Sequence, residues 1–325
     1  DSGSSRVNLD LQDGSVTAGN IIDDLGSALS GNGGTYVNLG ALASYDGKMI
    51  GVRDVATNGG NQKIHFEGGS SIGSLSIDGK AVTSGGTIDQ RIIATGDVTV
   101  DDATLGGNWA IGGKLTSKNG GIIKPGNSVG IISTNSIDWQ PGSIYQAEIN
   151  EAGKSDLLEV TGSGVANIAN TGLVVSEENG QGRFRLNHDY TILTAVGGVD
   201  GEFASANWTG TAYPLISMDT LYSNNAVAVR MGVNRQALNT MGFTPNQRSA
   251  GFGAASVAGA NATADEAFFS SDPTRAFDQL SGEVHATARS LVFSDMLSTN
   301  AALQSQMRVN LGARMQPGDL TVADD

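Results

Sequence analysis

Residues 120–156, GGIIKPGNSVGIISTNSIDWQPGSIYQAEINEAGKSD, interrupt every apolar run after a few residues with Gly, Pro or Asn, and that spacing restricts the fold most. Ile122-Ile123, Ile131-Ile132 and Ile144 with Ala147 and Ile149 are too short for helices and rich in β-branched side chains. Pro125-Gly126-Asn127 and Pro141-Gly142-Ser143 read as turns, because Pro fixes φ at the second turn position and Gly accepts a positive φ at the third. The stretch therefore predicts short stacked strands joined by tight corners.

The same texture extends upstream. Val98-Thr99-Val100, Leu75-Ser76-Ile77 and Ile64-His65-Phe66 alternate with a period of two, the mark of strands with one buried face. No helix of crossover length separates these runs, and the units recur loosely on the 20-odd-residue scale of a solenoid. The expectation is an all-β chain, a right-handed parallel β-helix of roughly six or seven coils before Asn150, stacked about 4.8 Å apart. Val98, Val100, Leu105, Ile111, Leu115, Ile122, Ile131 and Ile137 are the expected core, and residues 23–29 a short helical turn.

A solenoid must cover its last apolar layer. Strands expected at 157–160, 172–175, 190–195, 215–221 and 226–230 would supply final coils and a hairpin-rich cap. From 233 to 271 the text turns small and polar, as a flexible linker with a brief helix before Met241. Asp272-Pro273 then gives an N-cap followed by Pro at the first helical position. A helix from Ser281 to about Leu311 would be roughly 45 Å long.

Composition narrows the functions. Of 325 residues 39% are hydrophobic, with no run of the roughly 18 apolar residues a membrane helix needs. A net charge of -14 argues against nucleic-acid and anionic-membrane surfaces, which need clustered Lys and Arg. Cys is absent, which excludes disulfides and thiolate metal sites, and no cofactor is implied. The first residues, DSGSSRVNLD, lack the basic and apolar parts of a signal peptide, so an internal or mature piece is expected.

Candidate chemistry is sparse. Ser71 and Ser128 stand in G-x-S-x-G, yet that nucleophile turn needs a following helix, and both precede expected strands. His65, His188 and His285 have no acid or second His at metal-ligand spacing. Asp97, Asp101 and Asp102, with Lys118 and Lys124 about a coil later, read as a solvated acidic edge against an alternative of Ca²⁺-assisted polysaccharide cleavage. Trp109, Trp139, Tyr145, Phe184, Tyr190 and Phe203 read as buried aromatic ladders before a sugar-stacking surface.

Three stretches in order, residues 120–162, YTILTAVGGVDGEF at 190–203 and AFDQLSGEVHATARSLVFSDM at 276–296, resemble the pertactin-like C-terminal passenger region of Gram-negative autotransporters of type V secretion. The resemblance implies passenger coils at 1–150, last coils and an autochaperone cap at 151–232, the linker at 233–271, and at 272–325 a helix leading to an outer-membrane barrel outside this chain. It implies a folding-cap motif at Pro125, Gly126, Asn127, Trp139, Pro141, Gly142, Tyr145, Asp156, Tyr190, Gly201 and Phe203. A linker-helix motif falls on Leu280, Ser281, Gly282, Glu283 and His285.

The expected function is a non-enzymatic stalk and folding cap of a surface adhesin or virulence factor, monomeric, at the cell surface or released. Its implied partners are its own barrel translocator and the outer-membrane assembly machinery. A host protein or glycan would bind most readily at 35–60, and no nucleic acid is expected. The alternative is a β-helical polysaccharide lyase or esterase.

Overall fold

The structure, a computed structural model, describes residues 6–23, 34–180 and 182–314. The expected helical turn at 23–29 falls largely outside them.

The chain is mostly β and alternates between two long sheets of thirteen and nine strands among the described residues. Up to the last two strands of the larger sheet, neighbouring strands pair in parallel: Tyr45 with Ile64 and Ile64 with Thr83, nineteen residues apart. Later coils lengthen, so that Gly172 pairs with Ser205, thirty-three residues on. This arrangement is consistent with a parallel β-helix.

Corners recur at one edge and explain why so many small residues are needed. Ser143 N donates to Gln140 O across Pro141-Gly142, with Gly142 at φ +86, the predicted Pro-Gly turn. The same i to i+3 bond closes Gly40 to Ala43, Asp78 to Ala81 and Lys118 to Gly121. Pro125-Gly126-Asn127 behaves differently. Gly126 exchanges both backbone bonds with Gly107, and Asn127 Oδ1 accepts from Gly85 N at 3.1 Å, so this segment ties together earlier coils.

Inward ladders form the core. Val37, Val55, Leu75, Val98 and Leu115 follow one another in register, all buried, each contributing about 1.5–3 kcal/mol by burial. Val100, Leu105 and Ile111 are buried as expected. Ile122, Ile131 and Ile137 are only half-buried; Ile123, Ile132 and Trp139 take the interior instead. An Ile-Ile pair alternates equally well in either phase, and the cross-coil partners Leu105 and Trp109 choose the second residue.

The expected cap strands are present at Leu157–Val160, Gly172–Glu177, Asp189–Ala195, Ile216–Tyr222 and Ala226–Val233. The region holds fewer hairpins than anticipated. Its first strands continue the parallel sheets, and only Ala226–Val233 pairs antiparallel, with Asp189–Ala195 on one side and Ile216–Tyr222 on the other. That reversal ends the parallel ladder.

Compact units divide at Asn234/Arg235, with residues 258–260 joining the first, and no division falls at 150. The second unit carries α1 (Arg235–Thr240), α2 (Pro245–Ser256), α3 (Ala262–Phe268), α4 (Pro273–Ser281) and α5 (Glu283–Arg314). Segment 233–271, expected as a linker, is thus largely helical. Thr244 and Gln247 form a reciprocal capping box on α2, and Phe277 packs edge-on to Phe243 and Phe268. Asp272 caps α4 as predicted, accepting from Arg275 N at 3.1 Å. The long helix starts later than expected, because Gly282 at φ +73 ends α4. No described helix is long and apolar enough to cross a membrane, which says nothing of β-barrels.

Candidate functional site

The recognisable stretch folds into a buried polar knot between the two sheets. Asp156, fully buried, precedes strand Leu157–Val160 and accepts from Gly130 N at 2.8 Å and Glu148 N at 2.9 Å. One carboxyl group therefore pins three consecutive segments. Burial, helped by the nearby Glu148 charge, pushes its pKa up to about 8 in spite of those two N–H bonds. Glu148 Oε1 pairs with Lys124 Nζ at 3.2 Å, while its Oε2 is buried without a hydrogen-bond partner among the described residues.

A second carboxylate closes the neighbouring turn. Glu178 accepts from Ser128 Oγ, from Val129 N at 3.2 Å and from Asn150 Nδ2 at 2.9 Å, and these bonds, Ser128 first, hold it below the usual carboxylate range. Tyr190 bridges outward, its hydroxyl accepting from Arg185 N and donating to Asn150 O at 2.9 Å.

Aromatic rings run through the same coils. Trp139 and Tyr145 lie 6.1 Å apart, Tyr145 and Phe203 6.3 Å, Phe203 and Tyr222 6.4 Å. Tyr145 is fully buried, its hydroxyl donates to Ile192 O at 2.5 Å, and desolvation raises its pKa. Tyr145→Phe leaves that carbonyl without its side-chain donor and is expected to cost about 1–2 kcal/mol in a urea melt.

Thus Trp139, Pro141, Gly142, Tyr145, Asp156, Tyr190 and Phe203 all lie in the closing coils, while Pro125, Gly126 and Asn127 reach back to Gly107 and Gly85. Gly201, at φ +79, turns the chain beside Ala169. Leu280, Ser281 and Gly282 end α4, and Glu283 and His285 begin α5. Sequence reasoning missed Glu148 and Glu178. Their polar neighbours at Lys124 and Ser128 are many residues away in the chain, and only the coil brings them together.

The catalytic candidates fare differently. Ser71 opens strand Ser71–Asp78, Ser128 gives its hydroxyl to Glu178, and His188 bonds Gly153 O. The structure does align Asp46, His65 and Ser84 on three successive strands, with His65 Nδ1 3.0 Å from Ser84 Oγ. Adjacent backbone donors are spent, Glu67 N on Gly47 O and Gly86 N on Phe66 O. The acidic edge is paired: Asp101 with Lys118 at 3.1 Å, Asp102 with Lys80, and Asp97 Oδ1 with Lys114 N. Among the described residues no cluster of His, Cys, Asp or Glu is placed to hold a metal ion.

Fold and site together define a parallel-stranded β-solenoid whose larger sheet ends in an antiparallel hairpin and whose closing coils hold a buried carboxyl knot. No protein-family profile matches the chain. It is 25% identical over 210 residues, 60% of its length, to an extracellular serine protease of Serratia marcescens. The chain covers 19% of that relative, about a fifth of its length.

Proposed function

We propose that this chain is part of an autotransporter passenger: a right-handed, non-enzymatic stalk ending in a folding cap, presented outside the cell. The observation that carries the reading is the antiparallel pair 216–222 and 226–233, which ends the parallel ladder of the larger sheet one strand beyond Leu157–Val160, the strand that Asp156 precedes. Similarity to an extracellular protein and the order of the three motifs support it. In this reading α5, about 48 Å long at 1.5 Å per residue, leads toward an outer-membrane barrel, the chain's partner in secretion. A cap more stable than the coils behind it would fold first outside and prevent retreat through the pore.

Native-state hydrogen exchange in rising urea tests this. Residues 120–231 are expected to stay protected after the coils at 34–118 have opened. Longest protection at 34–118 would refute the folding-cap assignment.

A second reading, that the chain hydrolyses a substrate, is favoured by the protease activity named for the relative and by the Asp46–His65–Ser84 alignment. A fluorophosphonate probe separates the two. Labelling that disappears in Ser84→Ala supports hydrolysis, and an unlabelled chain supports the stalk.

A further inference from the structure

The outer face of the first sheet is creased. Strands 49–57 and 71–78 slip in register between Ile50 and Val52, and the next coil divides the same path into Ile92–Ala94 and Val98–Asp101. Coil backbones touch along the crease. A Cβ on Gly73 would lie 2.1 Å from Arg53 O, and on Gly51, at φ +71, 2.0 Å from Asp23 O, so only glycine fits.

The crease opens into a groove of about 550 Å³, within the roughly 300–1,000 Å³ usual for ligand sites. Tyr36, Asp54 and Ser74 line it in register from coil to coil, and Arg53, Ser71 and Thr95 are also in its lining. The Arg6 guanidinium sits 3.8 Å over the Tyr36 ring and fixes it as an aromatic wall. Ser74 Oγ donates to Asp54 Oδ1 at 2.6 Å, holding that carboxylate at the groove surface.

We propose that this groove binds a neutral oligosaccharide chain. Four strands at about 4.8 Å spacing make it about 14 Å long, suited to a short polymer and longer than a single sugar needs. Hydroxyl, carboxylate, guanidinium and tyrosine groups together match a ligand with vicinal hydroxyls and C–H faces.

Two other ligand classes fit worse. An extended peptide would need free strand-edge groups, yet Thr95 N is bonded to Ile72 O and Gly96 N to Gly73 O. A polyanion would meet Asp54 beside Arg53 and a chain of net charge -14. The proposal stands whether or not the last coils act as a folding cap.

The test presents the whole chain to immobilised neutral oligomers of glucose, galactose and N-acetylglucosamine, beside heparin oligomers, oligogalacturonate and random peptides. At least one neutral series is expected to bind, with affinity falling about tenfold or more in Arg53→Ala and in Thr95→Trp, which fills the exposed mouth. Circular dichroism checks each variant's fold, and Thr95→Trp decides the matter if Arg53→Ala is misfolded. Absence of neutral binding, preference for the anionic oligomers or peptides, or unchanged affinity in Thr95→Trp overturns the proposal.

Discussion

Asp156→Ala is expected to destabilise the closing coils by about 2–6 kcal/mol, because it strands two buried donors, Gly130 N and Glu148 N, at about 1–3 kcal/mol each. Urea unfolding followed by exchange at 131–160 reads the loss, and a change below about 1 kcal/mol would show that the knot is dispensable. The same residue predicts a pH dependence. Unfolded, Asp156 ionises near 4; folded, near 8, so between these values the native state holds the extra proton. Its stability contribution is complete below pH 4 and is lost as pH rises toward 8, at up to about 1.4 kcal/mol per unit. Asp156→Asn carries no titrating proton, so its melts at pH 5 and pH 8 should lie closer together than those of the parent chain. An equal slope in both would assign the effect elsewhere.

Trp109→Ala should be comparably damaging to the middle coils, about 3–5 kcal/mol for deletion of a fully buried indole. Trp109 stands in the ladder between Ile92 and Ile132 and meets Phe66 edge-on at 5.3 Å. A hole there removes contacts from both neighbouring coils, since each coil in a solenoid is supported mainly by the next. Trp109→Phe should cost less: Gly106 O loses Trp109 Nε1 but keeps Thr83 Oγ1 as a donor at 2.9 Å. The urea midpoints of the two variants measure the difference, and equal losses would mean that the hydrogen bond outweighs the packing.

Much of the strand pattern is legible because local chemistry decides it. Pro141-Gly142 can make little but a turn, and Val98-Thr99-Val100 can bury only one face. The Ile doublets are not legible, since phase within a pair depends on a partner one coil away. Helix α1 is the brief helix expected before Met241, whereas α2 and α3 hide behind a small, polar composition, although Thr244-Pro245 with Gln247 is a capping signal readable from sequence. The closing-coil residues Trp139, Tyr145 and Asp156 are recognisable only as a pattern. Their joint burial, and the meeting of Lys124 with Glu148, needs the coil period, which the sequence leaves irregular. The creased groove has no local signature, because its glycines look like any others among the 46 of the chain.

Coil length varies from seventeen residues between Val98 and Leu115 to thirty-five between Leu158 and Leu193, while each of these two strand pairs keeps an unbroken register. The surplus lies in the connections, where each doubling of a flexible loop costs only about 0.6 kcal/mol. Such a chain tolerates insertion in its longer connections and much less in its tight corners or along its rungs. Two molecules of this architecture can therefore diverge in most of their surface text and still be interchangeable rung for rung, which makes the spacing of inward residues a better measure of their kinship than overall identity.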